Sequence, residues 1–178
     1  CGVISSVEKE ISLADGDYAL LLTDITGSDA GSGVLVNITG EIVGMILPKL
    51  TNSVDTGATN ALAISDLKKT IELLSNGNAV PYVGVQGTGV TEQIEKEQGI
   101  PRGIYVESVE SDSPAMKAGI QSGDVITNVG KGKVTTLNAY QNMILDYKAG
   151  DEVLLRVERK GNDGYVKIQF KVVIGSKE

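Results

Sequence analysis

Short apolar segments separated by polar turns fill the first third of the chain. Strands this short, at this spacing, are typical of an antiparallel β-barrel or sandwich. A helix is predicted next, because Leu67, Ile71 and Leu74 fall at positions i, i+4 and i+7 and Asn76–Gly77 supplies a stop. The apolar segments are Gly2–Val7, Tyr18–Leu22, Val34–Val36, Ile42–Leu47 and Ala61–Ile64.

From Tyr82 onward the pattern alternates strands with short helices. Ser113 is placed to cap a helix that starts at Pro114, and Gly119 ends that helix almost at once. The residue before Pro81 is pushed out of helical geometry, so a short linker precedes the second region. We therefore predict a mostly β fold with short helices and two units, residues 1–77 and 81–178. The later elements are predicted as a strand at Val83–Val90, a helix from Thr91, strands at Gly103–Val109 and Asp124–Val129, a helix from Thr136 to Tyr147, and strands at Glu152–Arg159 and Tyr165–Val173.

Charge and motif content exclude several classes of function. The net charge is −7, and residues 1–77 carry 4 basic and 10 acidic side chains, so a basic footprint for nucleic acid is missing. No apolar run approaches the roughly 20 residues that span a bilayer. Neither a phosphate-binding loop nor a dinucleotide fingerprint is present, and the carboxylates lack the spacing of metal ligands. We expect no cofactor and no metal.

Cys1 is the single cysteine, so an internal disulfide is impossible. Two interpretations of this residue stay open. It is the acylated first residue of a processed lipoprotein, or the sequence begins within a longer protein. We expect the second, because Gly2–Ser6 already has the pattern of a strand.

A serine between two glycines, at Gly31–Gly33, is the first candidate for chemistry. Glycines let the backbone turn sharply and present the Ser32 hydroxyl beside amides that can hold an oxyanion. The order of Thr23–Asp24, this loop, Leu35–Asn37 and Gly40–Gly44 resembles the nucleophile loop of the HtrA/Deg family of trypsin-like serine proteases.

The two halves of that motif place the nucleophile differently. Counting forward from Thr23–Asp24 places it at Ser32, whereas counting back from Leu35–Asn37 places it at Gly31, and Ala30 with Gly31 would form the oxyanion loop. A serine nucleophile also needs a base, usually histidine, and this chain contains no histidine. The family takes its histidine and aspartate from a preceding barrel, so we expect this chain alone to be inactive.

The second candidate is the segment Tyr82–Val85. Gly84 lacks a Cβ, so successive amides can surround an anion while the next strand offers an edge to an extended peptide. The segment resembles the carboxylate-binding loop of the PDZ domains in the same family, which implies a role for Tyr82, Val83, Gly84 and Val85. Ala139 and Met143, on the helix from Thr136, are predicted to line the other wall of the groove.

Together these resemblances imply half of a chymotrypsin-like double β-barrel followed by a PDZ domain. They imply an ATP-independent serine endopeptidase of extracytoplasmic protein quality control, membrane-anchored in full length and trimeric. Unfolded proteins, peptide C-termini and the missing N-terminal barrel are the implied partners. The alternative is a non-catalytic relative that uses its PDZ domain as a peptide-binding sensor or adaptor. Whether the protein is an enzyme is left open by the sequence.

Overall fold

The chain folds into two compact units, and the second unit is formed by two separate segments of the sequence. The computed structural model describes residues 1–26, 31–47 and 58–177. The first unit comprises Cys1–Ile11 and Tyr18–Glu72, and the second comprises Ser12–Asp17 and Leu73–Glu178. Both are built mainly from strands, as the sequence predicted. Residues 12–17, which lie within the first predicted unit by sequence, form part of the second unit here.

Most residues of a five-stranded sheet, whose strand order is β1-β2-β5-β4-β3, belong to the first unit. Successive residues of β2 and β5 face opposite sides of this sheet, as strand geometry requires. Leu20 and Leu62 pack with Leu67 on one side, and Leu21 packs with Ala61 and Ala63 on the other. The strands are β1 Ile4–Leu13, β2 Gly16–Thr26, β3 Gly33–Val36, β4 Ile42–Ile46 and β5 Ala58–Ala63.

Helix α1, Ile64–Ser75, confirms the predicted helix, and the three apolar residues that predicted it differ in burial. Leu67 is buried, whereas Ile71 and Leu74 are 37% and 57% exposed. The start of the helix is held by polar contact instead, because the Asp66 carboxylate accepts a hydrogen bond from the amide of Ala19 at 2.8 Å.

The second unit contains a sheet in the order β12-β11-β9-β8-β7, with β10 paired to β9, and a separate pair formed by β13 and β6. Its core is made of aliphatic side chains from these strands and from α3 and α4, around the fully buried Tyr140. The strands are β6 Val80–Tyr82, β7 Val85–Gly89, β8 Ile104–Val109, β9 Asp124–Val129, β10 Gly132–Lys133, β11 Glu152–Gly161, β12 Gly164–Val173 and β13 Gly175–Lys177. The helices are α2 Glu92–Gln98, α3 Pro114–Ala118 and α4 Leu137–Ile144.

The predicted cap of α3 at Ser113 and its predicted stop at Gly119 are confirmed. The hydroxyl of Ser113 accepts a hydrogen bond from the amide of Met116 at 3.2 Å, with Pro114 in the first turn of α3. Gly119 ends α3 at a φ of 95°, a conformation that glycine adopts without a Cβ penalty. Thr136 caps α4 in the same way, through the amide of Ala139.

An ion pair between Asp124 and Arg159 joins β9 to β11. The Asp124 side chain is fully buried, and its carboxylate accepts hydrogen bonds from Arg159 Nε at 2.6 Å and Nη2 at 2.8 Å. The amide of Gln121 donates to the same carboxylate at 3.0 Å. Hydrogen bonding to Asp124 raises the pKa of the Arg159 guanidinium, which also lies 5.5 Å above the ring of Phe170. The pair fixes the first residue of β9.

Among the helices of the described residues, none combines the length and apolar character needed to cross a membrane.

Candidate carboxylate-binding site

The segment between β6 and β7 forms a loop of converging amides, which we call the carboxylate loop (residues 82–85). Gly84 adopts a φ of 88°, which reverses the chain between the two strands. The carbonyl of Val83 accepts a hydrogen bond from the amide of Ala115, and the carbonyl of Gly84 accepts one from the amide of Glu110, each at 2.9 Å. These bonds hold the carbonyls to the protein and leave the amides of the loop to donate elsewhere.

Three amides of the carboxylate loop, those of Val83, Gly84 and Val85, donate to one side chain, that of Asp15. Val83 N and Gly84 N donate to Asp15 Oδ2 at 2.8 and 2.6 Å, and Val85 N donates to Oδ1 at 3.0 Å. The Tyr140 hydroxyl donates to Oδ1 at 3.0 Å. The amide of Asp15 itself donates to the carbonyl of Val85 at 2.7 Å. Four donors around one carboxylate form an anion site built mainly from backbone.

Burial and hydrogen bonding act on Asp15 in opposite directions. Asp15 is 6% exposed, and this burial raises the pKa of its carboxyl group, while the loop amides and the Tyr140 hydroxyl lower it; the net direction is upward. The pKa of Tyr140 is raised well above its ordinary value by burial and by the charge of Asp15. Tyr140 therefore stays a neutral hydrogen-bond donor at physiological pH.

The carboxylate loop has no room for a side chain at Gly84. A Cβ at this position would overlap the side chain of Ser113, the cap of α3, and the positive φ disfavours any L residue. The glycine thus serves the backbone turn and the packing of α3 at once. Substituting it would disturb folding as well as binding.

Strand β7 and helix α4 flank the carboxylate loop. Strand β7 lies at the edge of its sheet, so among the described residues one side of its backbone has no strand partner, although the carbonyl of its first residue, Val85, accepts the amide of Asp15. From α4, Tyr140 reaches Asp15, and the Gln141 side chain lies against Gly16. Ala139 and Met143, the two residues predicted to line the groove, are half-buried, and the Met143 sulfur packs beside Gly132 of β10. Their roles in binding stay predictions.

The candidate nucleophile belongs to the first unit. Ser32 and Gly31 are exposed and immediately precede β3. Ala30 lies outside the described residues. Because the chain has no histidine, no imidazole base accompanies either position. The roles of Ser32 and Gly31 in catalysis stay predictions.

Sequence patterns identified the donors of the site but not their acceptor. Asp15 is 68 to 70 residues from the three amides that it accepts from, so no local pattern links them. A partial signal exists in the Asp15–Gly16 pair, because Asp-Gly is typical of a tight hairpin turn. Tyr140 is fully buried, and its hydroxyl supplies the polar contact that a buried tyrosine usually makes.

Comparison with known proteins identifies both parts of the chain. The sequence profile of the PDZ domain family matches residues 81–170. Serine protease Do-like HtrA of Lactobacillus helveticus is 29% identical over 185 residues, covering 96% of this chain and 45% of that protein. Serine protease Do-like HtrB of Bacillus subtilis is 30% identical over 177 residues, covering 90% of this chain and 39% of that protein.

A solved structure gives the same answer for the fold. The HtrA-type protease AlgW, determined with a decapeptide, superposes with a TM-score of 0.59 at 22% identity and covers 99% of this chain and 55% of its own. The chain spans less than half the length of each of the two protease sequences above. The chain therefore belongs to the PDZ domain family, and it has the organisation of an HtrA-type protein, with half of a trypsin-like double barrel followed by a PDZ domain.

Proposed function

We propose that the chain is part of an HtrA-type serine endopeptidase of extracytoplasmic protein quality control, and that its PDZ domain binds the free C-termini of peptides. The observation that carries the proposal is the convergence of three backbone amides on one carboxylate at residues 83–85. A peptide C-terminus offers the same group to the same donors. Strand β7 then accepts the peptide as an added strand.

Peptides with a free C-terminus are expected to bind more tightly than their amidated twins. The affinity is of micromolar order, because one carboxylate and a few main-chain bonds must offset the ordering of a flexible peptide. The measurement is calorimetry on the 178-residue chain, using peptides selected from a library displayed with free C-termini. Equal affinities of acid and amide would contradict a carboxylate site. Gly84 is left unchanged in this test, because its substitution would also disturb α3.

The chain alone is expected to show no proteolytic turnover. In the family mechanism a serine hydroxyl is activated by a histidine held by a carboxylate, and this chain has no histidine. The measurement is incubation with an unfolded protein substrate, with Ser32→Ala as the comparison. Turnover that is present in the unsubstituted chain and lost in Ser32→Ala would identify Ser32 as a working nucleophile and overturn this expectation.

From the family resemblance we further propose that the full-length protein acts on unfolded proteins, assembles as a trimer and carries a membrane anchor.

A second function is favoured by the nucleophile loop, which is one residue shorter than the family pattern between Thr23–Asp24 and Leu35–Asn37. It is that of a non-catalytic sensor or adaptor that binds peptides through the PDZ domain. The gene upstream of Cys1 separates the two functions. A preceding barrel with a histidine and an aspartate in its loops supports the protease, and a barrel without them supports the sensor.

A further inference from the structure

The carboxylate loop already holds a carboxylate of the chain itself. Asp15 lies in the turn between β1 and β2, which we call the Asp15 turn (residues 12–17), and this turn belongs to the same unit as the loop. The amides of Val83, Gly84 and Val85 and the hydroxyl of Tyr140 donate to it. Each amide N–H makes one strong hydrogen bond, so the loop cannot hold a second carboxylate in this arrangement.

The Asp15 turn also imitates the backbone pairing of an added strand. The amide of Asp15 donates to the carbonyl of Val85, the first residue of β7, at 2.7 Å. Asp15 therefore offers both an N–H group and a carboxylate from one residue, as the last residue of a bound peptide does. Its φ of 62° lies in the left-handed region, where aspartate is among the few tolerated side chains.

The Asp15 turn is so closely packed that the carboxylate loop has no space for both Asp15 and a peptide C-terminus. Asp15 is 6% exposed, Tyr140 is fully buried, and the backbone of Gly16 lies so close to Gln141 that a Cβ there would come within 2.5 Å of the Gln141 side chain. A peptide C-terminus that enters the loop must displace the turn.

We propose that Asp15 is an internal ligand of the PDZ domain, so that a peptide C-terminus binds the carboxylate loop only after the Asp15 turn has left it. This inference rests on the proposed peptide-binding function of the loop and adds its regulation. The apparent affinity for a peptide is the affinity of the open loop reduced by the fraction of molecules in which the loop is open. If the turn is docked nine tenths of the time, that reduction is about tenfold.

The test compares Asp15→Ala with Asp163→Ala in the 178-residue chain. Asp163 is the matched control, because it is an exposed aspartate in the hairpin turn between β11 and β12. Asp15→Ala is expected to raise the affinity for a library-selected free-acid peptide about tenfold. Asp163→Ala is expected to leave the affinity unchanged, and the amidated twin is expected to gain little from either substitution. Asp15→Asn, which keeps the size of the side chain, serves as the second variant and is expected to move the affinity in the same direction.

Amide hydrogen exchange gives a readout that needs no peptide. Removing the Asp15 carboxylate is expected to speed exchange at Val83, Gly84 and Val85 while exchange in β9 stays unchanged, which also shows that the unit remains folded. Suppose that the free-acid peptide binds more tightly than the amidated peptide by the same factor in the unsubstituted chain and in both Asp15 variants. The proposal that Asp15 is an internal ligand is then wrong, and the proposed peptide site is supported. If the free-acid and amidated peptides bind with equal affinity in the unsubstituted chain and in the variants, the proposed peptide site is wrong. The proposed competition between Asp15 and a peptide carboxylate is then wrong as well.

Discussion

Replacing Arg159 with leucine is expected to lower the free energy of unfolding of the second unit by about 3 kcal/mol, because it leaves a buried charge without its partner. The Asp124 carboxylate is fully buried and would keep only the amide of Gln121 among its described donors. Arg159 is also the residue directly opposite Asp124 in the pairing of β11 with β9. The loss therefore falls on one end of the pairing between β9 and β11, two neighbouring strands of the sheet. Guanidinium unfolding followed through the amide resonances of β9 and β11 measures the second unit separately from the first.

Two further variants separate the unpaired charge from lost packing. Arg156→Leu removes an exposed arginine from the same strand and is expected to change the free energy of unfolding by less than about 0.5 kcal/mol. Adding Asp124→Asn to Arg159→Leu removes the buried charge, and is expected to recover at least about 1 kcal/mol. A double variant no more stable than Arg159→Leu alone would show that the lost stability comes from contacts of Arg159 other than the ion pair, namely those with Phe170 and the Gly119 carbonyl.

Replacing Gly87 with alanine is expected to cost about 3 kcal/mol or more, because the new methyl group has no space. A Cβ at Gly87 would overlap the backbone carbonyl oxygen of Tyr105 on the neighbouring strand β8, and backbone cannot move aside as a flexible side chain can. The register of β7 and β8 shifts between Gln86 and Gly87, so this is also the point where the pairing is irregular. Because β7 is the strand offered to a peptide, binding is expected to fall together with stability.

Gly89 provides the control on the same strand. A Cβ there would lie 3.6 Å from its nearest neighbour, the carbonyl oxygen of Thr135, which is an ordinary contact. Gly89→Ala is expected to stay within about 0.5 kcal/mol of the unsubstituted chain in the same unfolding measurement. Equal losses in the two variants would mean that glycine matters in β7 for backbone flexibility and not for the close approach to Tyr105.

Sequence patterns predicted the elements that depend on local interactions and missed contacts between distant residues. The cap at Ser113, the stop at Gly119 and the two closing strands depend on neighbouring residues, and all are confirmed. The partial exposure of Ile71 and Leu74 in α1 could not be predicted, because it depends on which side chains of the sheet pack against the helix. The same holds for the site. The loop at Tyr82–Val85 has a local signature, whereas its acceptor comes from a turn far away in sequence.

The interrupted sequence of the second unit affects how its boundaries are chosen for experiments. A fragment that begins at residue 81 would contain the whole match to the PDZ family and would omit the Asp15 turn. In such a fragment the amides of Val83, Gly84 and Val85 would donate to water, and a peptide would meet an open loop. Affinities measured on it would describe the loop without its internal competitor. Peptides ranked by their affinity for that fragment would keep their order, but each would bind the fragment more tightly than it binds the longer chain, in which Asp15 competes for the loop.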